Sequence, residues 1–323
     1  MNKPIAIIAG EPNSISSEII FKCWKLRKKF KNKLFLVIGN INLFKLQKNK
    51  LNFKIGLKQI NANFKLNDLK SNKLPIIDIR FDQDKPFAKI SSKSNKYIFN
   101  CFNMALMLEK EKKIAGFVNC PVSKESLFIK KHQGITEFLS KKSGKSGKEV
   151  MLIFNKNLSV SPITTHIPFK RISNSITKNK IINNVKTINA FYLKVFNKKP
   201  NFGVLGLNPH NYSSLRNNEE KNIIKKAVLI LKRSKYNISG PVQTDSSFMN
   251  LNKFKFDVII GMYHDQVLTP FKALYKYKAI NISLGLPYIR ISPDHGVAEN
   301  ITGKNKANPE SLVESIKFFN YIK

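Results

Sequence analysis

Five short apolar runs in this chain each break directly into a polar, turn-rich segment. The breaks are Ala9-Gly10-Glu11-Pro12, Cys120-Pro121-Val122-Ser123-Lys124, Thr164-Thr165-His166-Ile167-Pro168, Leu207-Asn208-Pro209-His210 and Met262-Tyr263-His264-Asp265-Gln266. Runs that are apolar throughout read as strands buried on both faces, the kind found in parallel sheets. Between them lie longer stretches with helical spacing, such as Ser16 to Lys29 and Thr177 to Phe196. Strand followed by helix, repeated along the chain, predicts an α/β protein with a mostly parallel sheet. In open α/β sheets ligands bind outside the carboxyl ends of the strands. The polar groups at the five breaks are therefore the first places to look for chemistry.

Strands are expected at 5–9, 34–38, 74–79, 115–119, 202–207, 256–260 and 279–282. Val150 to Phe154 and Leu158 to Ile163 are expected to pair around Asn155-Lys156-Asn157. Further helices are expected over 91–113, 218–233 and 309–319. The sequence shows no internal repeat and no long Gly/Ser/Pro linker, so two domains would be interwoven and not strung in series.

Lysine and arginine total 57 against 20 acidic residues, a net charge of +37. Nearly all of the cations are lysines, spread along the chain without one dense arm. Groove readers favour the arginine fork, so a nucleic-acid function is not expected. A surface this positive does favour anionic small molecules. No apolar run reaches the roughly 20 residues that span a bilayer, so no membrane role is expected. The segment after Met1 has too short an apolar run for a secretory h-region, and the chain is read as mature and cytoplasmic. Cys23, Cys101 and Cys120 are odd in number and far apart, which predicts free thiols and neither a disulfide framework nor a thiolate metal site.

Of five histidines, His166, His210 and His264 each follow an apolar strand by a few residues. If those strands are neighbours the rings can converge, and three imidazoles with open positions make a catalytic divalent-metal site. Taken singly, each is a hydrogen-bonded loop histidine. Lys272, Asn281 and Arg290 lie around the strand at 279–282 and are candidates for holding an oxyanion, Lys as a point charge and Arg as a fork. The chain has no G-x-G-x-x-G after a strand, no P-loop and no G-x-S-x-G. Rossmann, P-loop and α/β-hydrolase sites are therefore not supported.

Eight segments, in order, carry a resemblance to a known family: Ala9-Gly-Glu-Pro12, Pro121-Val-Ser-Lys124, Gly134-Ile-Thr-Glu-Phe-Leu139, Thr164-Thr-His-Ile-Pro168, Gly206-Leu-Asn-Pro-His210, Tyr263-His-Asp-Gln266, Leu284-Gly-Leu-Pro287 and Asp294-His-Gly296. Together they resemble the signatures of the 4-hydroxythreonine-4-phosphate dehydrogenases of vitamin B6 biosynthesis. The resemblance implies an isocitrate/isopropylmalate dehydrogenase-like fold of two α/β/α lobes flanking a cleft. The first lobe would be 1–115 with 285–323, carrying the cofactor loop. The second would be 116–284, carrying the metal site and the dimer contacts. The resemblance further implies a homodimer with a shared active site, NAD as cofactor, and one divalent ion (Zn, or Mg, Mn or Co) on His166, His210 and His264. It places substrate contacts at Thr136, Lys272, Asn281 and Arg290, acidic catalytic candidates at Asp245 and Asp265, and NAD contacts at His295, Gly296, Ala298 and Asn308. The implied reaction is oxidative decarboxylation of 4-phosphohydroxy-L-threonine to 3-amino-2-oxopropyl phosphate, CO2 and NADH, on the route to pyridoxal 5'-phosphate.

Two departures stand out. The family usually has His before the Thr of its H-T-E-F motif, where this chain has Ile135, with His132 three residues away. The family's glycine-rich run after N-P-H is replaced by Asn211-Tyr-Ser-Ser-Leu-Arg-Asn-Asn218, which offers Arg216 as a new anion contact. Both keep open two alternatives: a sister dehydrogenase of another phosphorylated hydroxy acid, such as a four-carbon sugar acid phosphate, and a non-catalytic binding relic of the fold.

Overall fold

The computed structural model describes residues 3–30, 33–127, 134–211, 218–249 and 251–322. His132 and Arg216 lie outside the described residues. The chain divides into two compact units, 1–149 with 286–323, and 150–285.

In chain order the strands are β1 (Ile5–Ile8), β2 (Phe35–Gly39), β3 (Gly56–Ile60), β4 (Lys73–Asp78), β5 (Phe117–Asn119), β6 (Val150–Asn155), β7 (Leu158–Thr164), β8 (Phe202–Leu205), β9 (Ile238–Val242), β10 (Val258–Tyr263), β11 (Ile280–Leu284) and β12 (Arg290–Pro293). The first boundary falls between Glu149 and Val150, later than the expected 115/116. The reason is β5, which pairs in parallel with β1 on one side and with β12 on the other. The second boundary falls between 285 and 286.

The first unit carries the strands in the order β3-β4-β2-β1-β5-β12, every described pair parallel. β1 and β2 are buried along their whole length, as strands covered on both faces must be. Each buried Ile, Leu, Val or Phe contributes roughly 1.5–3 kcal/mol relative to exposure. The core against β1 and β2 includes Ile98, Phe102, Ala105 and Leu108. These come from the helix Asn95–Lys110, in which they recur at helical spacing. From β1 the chain moves to β2 on one side, and β5 lies on the other, so the ends of β1 and β5 form a topological switch point. There Glu11 N–H donates to the Pro121 carbonyl at 2.8 Å and Cys120 N–H to that of Ile8 at 2.9 Å. Gly10 adopts φ +72°, and a Cβ on it would lie 2.4 Å from the Pro121 oxygen. Only glycine fits this turn.

The second unit carries β11-β6-β7-β10-β8-β9. β6 pairs antiparallel with both β7 and β11, the expected hairpin among them. β7, β10, β8 and β9 run parallel. The helix Lys178–Phe196 begins on Thr177, whose side chain accepts from Lys180 N–H, and stops at left-handed Asn197. Elements beyond those expected include the strands β3, β9 and β12 and the helices Ile41–Lys50, Ile135–Lys142 and His264–Tyr275. All three cysteines are buried and free; burial pushes each thiol above its ordinary range. No helix among the described residues is long and apolar enough to cross a membrane.

Candidate functional site

The three histidine-bearing strands are neighbours: β7, β10 and β8 lie side by side and parallel. Their carboxyl ends therefore reach one edge, the condition on which convergence of the rings depended. The junction is tied by side chains. Thr164 Oγ1 donates to the Met262 carbonyl at 2.8 Å, joining β7 to β10. Gln266 Nε2 donates to the Gly206 carbonyl at 2.7 Å, joining β10 to β8.

His166 follows β7, and His264 opens the helix that follows β10. Their ring centres are 5.8 Å apart, with the planes tilted by 42°. His264 Nδ1 lies 2.7 Å from Oδ1 of Asp265. A carboxylate on Nδ1 fixes the tautomer and leaves Nε2 as a ligand. His210 sits just beyond β8 with its side chain exposed, and its Nδ1 lies 3.7 Å from Oδ2 of Asp245. Its backbone is left-handed at φ +51°, followed by Asn211 at φ +61°. Consecutive left-handed residues that are not glycine cost about 1–2 kcal/mol each. They persist only where the surroundings over-determine them.

The structure thus pairs His166 with His264 and, separately, His210 with Asp245. Among the described residues no three His, Cys, Asp or Glu side chains are already gathered as a complete ligand set. The donor types nevertheless fit a divalent ion: two adjacent imidazoles, a third on the neighbouring strand end, and carboxylates that orient two of them. Lys272 is exposed on the helix opened by His264. Asn281 lies on β11, and its Oδ1 is buried without a hydrogen-bond partner among the described residues. A buried orphan acceptor costs about 1–3 kcal/mol, so it marks a place for a donor.

In the first unit, Arg290 is 4% exposed on β12. Its Nε donates to Asn119 Oδ1 at 2.7 Å and its Nη1 to Thr136 Oγ1 at 3.2 Å. Two of the expected substrate contacts are therefore hydrogen-bonded to each other. Burial lowers the Arg290 pKa to about 10, with Tyr288 and Glu137 opposing the fall, so the guanidinium stays charged at neutral pH. Ile135, one residue before Thr136, is buried in the apolar core with Leu139 and Tyr288. Glu11, at the β1 end, is fully buried and accepts from Asn13 N–H at 3.2 Å and Ser94 Oγ at 3.0 Å. Burial raises its pKa above the ordinary 4.5, against the pull of those two bonds.

The expected cofactor residues also lie in this unit. A Cβ on Gly296 would meet no atom within 4 Å, so its backbone is open to a ligand. His295 Nδ1 is 3.3 Å from the Gly296 oxygen, and Ala298 is left-handed at φ +50°. Asn308 Oδ1 accepts from Glu310 N–H at the start of the helix Glu310–Phe318, a local side-chain-to-backbone turn. The loop before it is anchored by Glu18, which accepts from Ala307 N–H at 2.6 Å, and by Lys22, which donates to the carbonyls of Asn305 and Ala307.

Sequence reasoning missed Asn119, Glu220 and Thr244. Gln266 stands in one of the strand-end segments, and its sequence position alone assigns it no role. Asn119 accepts from Arg290, Glu220 accepts from Leu207 and Asn208 N–H, and Thr244 accepts from Gln266, contacts between separate elements that sequence alone does not reveal.

Residues 31–319 match the family described as pyridoxal phosphate biosynthetic protein PdxA. This chain belongs to that family. A 4-hydroxythreonine-4-phosphate dehydrogenase of Sulfurihydrogenibium sp. (strain YO3AOP1) is 36% identical, covering 97% of this chain and 96% of the relative. One of Aquifex aeolicus (strain VF5) is 35% identical over 98% and 97%. Among solved structures, a putative 4-hydroxythreonine-4-phosphate dehydrogenase from Salmonella typhimurium superposes with a TM-score of 0.86 at 27% identity, covering all of both chains. The α/β class and the family resemblance read from the eight segments both hold, and the PdxA relatives are named as dehydrogenases.

Proposed function

We propose that this chain catalyses the NAD- and metal-dependent oxidative decarboxylation of 4-phosphohydroxy-L-threonine to 3-amino-2-oxopropyl phosphate, CO2 and NADH, as a cytoplasmic homodimer. The observation that carries the reading is the side-by-side placement of β7, β10 and β8, which brings three histidines to one sheet edge. His166, His210 and His264 would hold the divalent ion. When bound, that ion would supply Lewis acidity at the substrate hydroxyl, and NAD would supply the hydride acceptor.

The chain's own residues do the rest. Asp265 holds His264 in the Nδ1-protonated tautomer, and Asp245 faces His210. Asp245 and Asp265 are both exposed, so either is able to take the hydroxyl proton, directly or through water. Arg290, kept charged and oriented by Asn119, presents a fork to the phosphate beside Thr136. Lys272 adds a point charge, and the orphan Oδ1 of Asn281 accepts from a substrate donor. His295, Gly296, Ala298 and Asn308 flank the cofactor.

The test is NADH formation by metal-reconstituted protein on a panel of phosphorylated hydroxy acids, with and without chelator. Turnover only of 4-phosphohydroxy-L-threonine supports the reading. Ile135 favours a second one: it is packed in the core and presents no imidazole beside Thr136. Preference for a four-carbon sugar acid phosphate would establish that sister activity. Light scattering on the purified protein tests the dimer.

A further inference from the structure

The left-handed His210 needs an external hold, and two buried polar side chains outside the expected ligand set supply it. Glu220 is 2% exposed and begins a π-helical turn, Glu220–Ile224. Its Oε1 accepts from Leu207 N–H at 2.8 Å and Asn208 N–H at 2.7 Å, and its Oε2 accepts from Asn208 Nδ2 at 3.1 Å. The carboxylate therefore grips the two residues that precede Pro209-His210. Gln266 is 7% exposed. Its Oε1 accepts from Met262 N–H at 2.6 Å, and its Nε2 donates to the Gly206 carbonyl at 2.7 Å and to Thr244 Oγ1 at 3.0 Å. One amide thus ties together the end of β10 before His264, the end of β8 before His210, and the residue before Asp245.

We propose that Glu220 and Gln266 are positioning residues that set the placement of His210 relative to His264 and Asp245. Neither belongs to the expected metal-ligand or substrate-contact set. They act through the neighbouring chain: Glu220 on the backbone of 207–208 and the Asn208 side chain, and Gln266 on the backbone of 206 and 262 and the Thr244 hydroxyl. Buried polar networks with every bond made specify one arrangement, and residues one step behind metal ligands govern affinity by about 10–100-fold. This inference rests on the metal reading above, so its test has an arm that does not need the metal.

Gln266→Glu keeps an acceptor for Met262 N–H and removes the donor to Gly206. Glu220→Gln keeps one acceptor oxygen and replaces the other with a donor facing Asn208 Nδ2. Amide hydrogen exchange and Co2+ titration, followed by its visible absorption, are compared across wild type and both variants. The expectation is exchange about 10-fold faster over 206–211, exchange over β1 and β2 unchanged, and Co2+ binding about 10–100-fold weaker. Unchanged exchange over 206–211 in both variants overturns the proposal whatever the metal does. Faster exchange with wild-type Co2+ affinity overturns the claim that the clamp places His210 for an ion. If wild type takes up no Co2+ the metal reading falls, and the exchange result alone decides whether the two side chains hold the loop. A variant that unfolds throughout, seen as faster exchange in β1 and β2 as well, counts against a local positioning role at that residue.

Discussion

Asp265 and His264 are adjacent in sequence and hydrogen-bonded through side chains, with Oδ1 2.7 Å from Nδ1. Because they open a helix, the pair is held where β10 ends. On the proposed metal reading, the carboxylate would favour the Nδ1-protonated tautomer and leave Nε2 for the ion. Asp265→Asn keeps the shape and removes the charge. Metal affinity should fall by about 10–100-fold, with the thermal midpoint within a few degrees of wild type because Asp265 is exposed. Isothermal titration with Zn2+ and a melting curve check both halves.

Arg290 and Thr136 make a different kind of contact. Arg290→Lys removes the fork and its bond to Asn119 while keeping the charge. Hydrogen bonds to a charged group are worth about 1.5–3 kcal/mol, so kcat/KM should fall by roughly 10–100-fold, mostly through KM. Thr136→Ala should have a smaller effect in the same direction. Steady-state kinetics over a range of substrate concentrations separates KM from kcat.

The turn at Gly10 is a matter of space. Gly10→Ala forces a Cβ to 2.4 Å from the Pro121 oxygen at φ +72°. Either the β1–β5 end moves or the turn unwinds. A loss of about 1–3 kcal/mol is expected, measured by urea denaturation. A variant as stable as wild type would show that the turn relaxes freely.

Glu11 predicts a pH dependence. Its folded pKa lies above 4.5, chiefly through burial, so in that window the folded state holds more protons than the unfolded one. Stability from this group is greatest at low pH and declines as pH rises from about 4.5 through the raised folded value. Glu11→Gln removes the slope. The difference in thermal midpoint, variant minus wild type, should therefore increase as pH rises from 4 to 7; a difference that stays flat would contradict the buried-acid account.

Much of the fold was readable because parallel strands buried on both faces are apolar throughout. Ile5–Ile8, Phe35–Gly39 and Val258–Tyr263 announce themselves in this way. β3 and β9 did not, because they are outer strands with partly exposed residues, and β9 carries Gly240 and Pro241. The helix His264–Tyr275 was hidden by its polar opening and by Pro270 within it. The three histidines were picked out by position after strands, which is local information. That their strands are neighbours is topology and came only with the structure. Glu220 and Asn119 were unreadable for the same reason, since their partners are backbone or side chains elsewhere in the chain.

On the proposed function, three histidines on neighbouring strand ends serve one metal-dependent oxidation. Its most direct measurement is NADH formation from 4-phosphohydroxy-L-threonine and NAD by wild type and His210→Ala, each stripped of metal and then reconstituted. Stripped wild type should show no turnover and recover on adding a divalent ion, and a folded His210→Ala should not recover. Full activity after thorough metal removal, or near-normal turnover by His210→Ala, would contradict it.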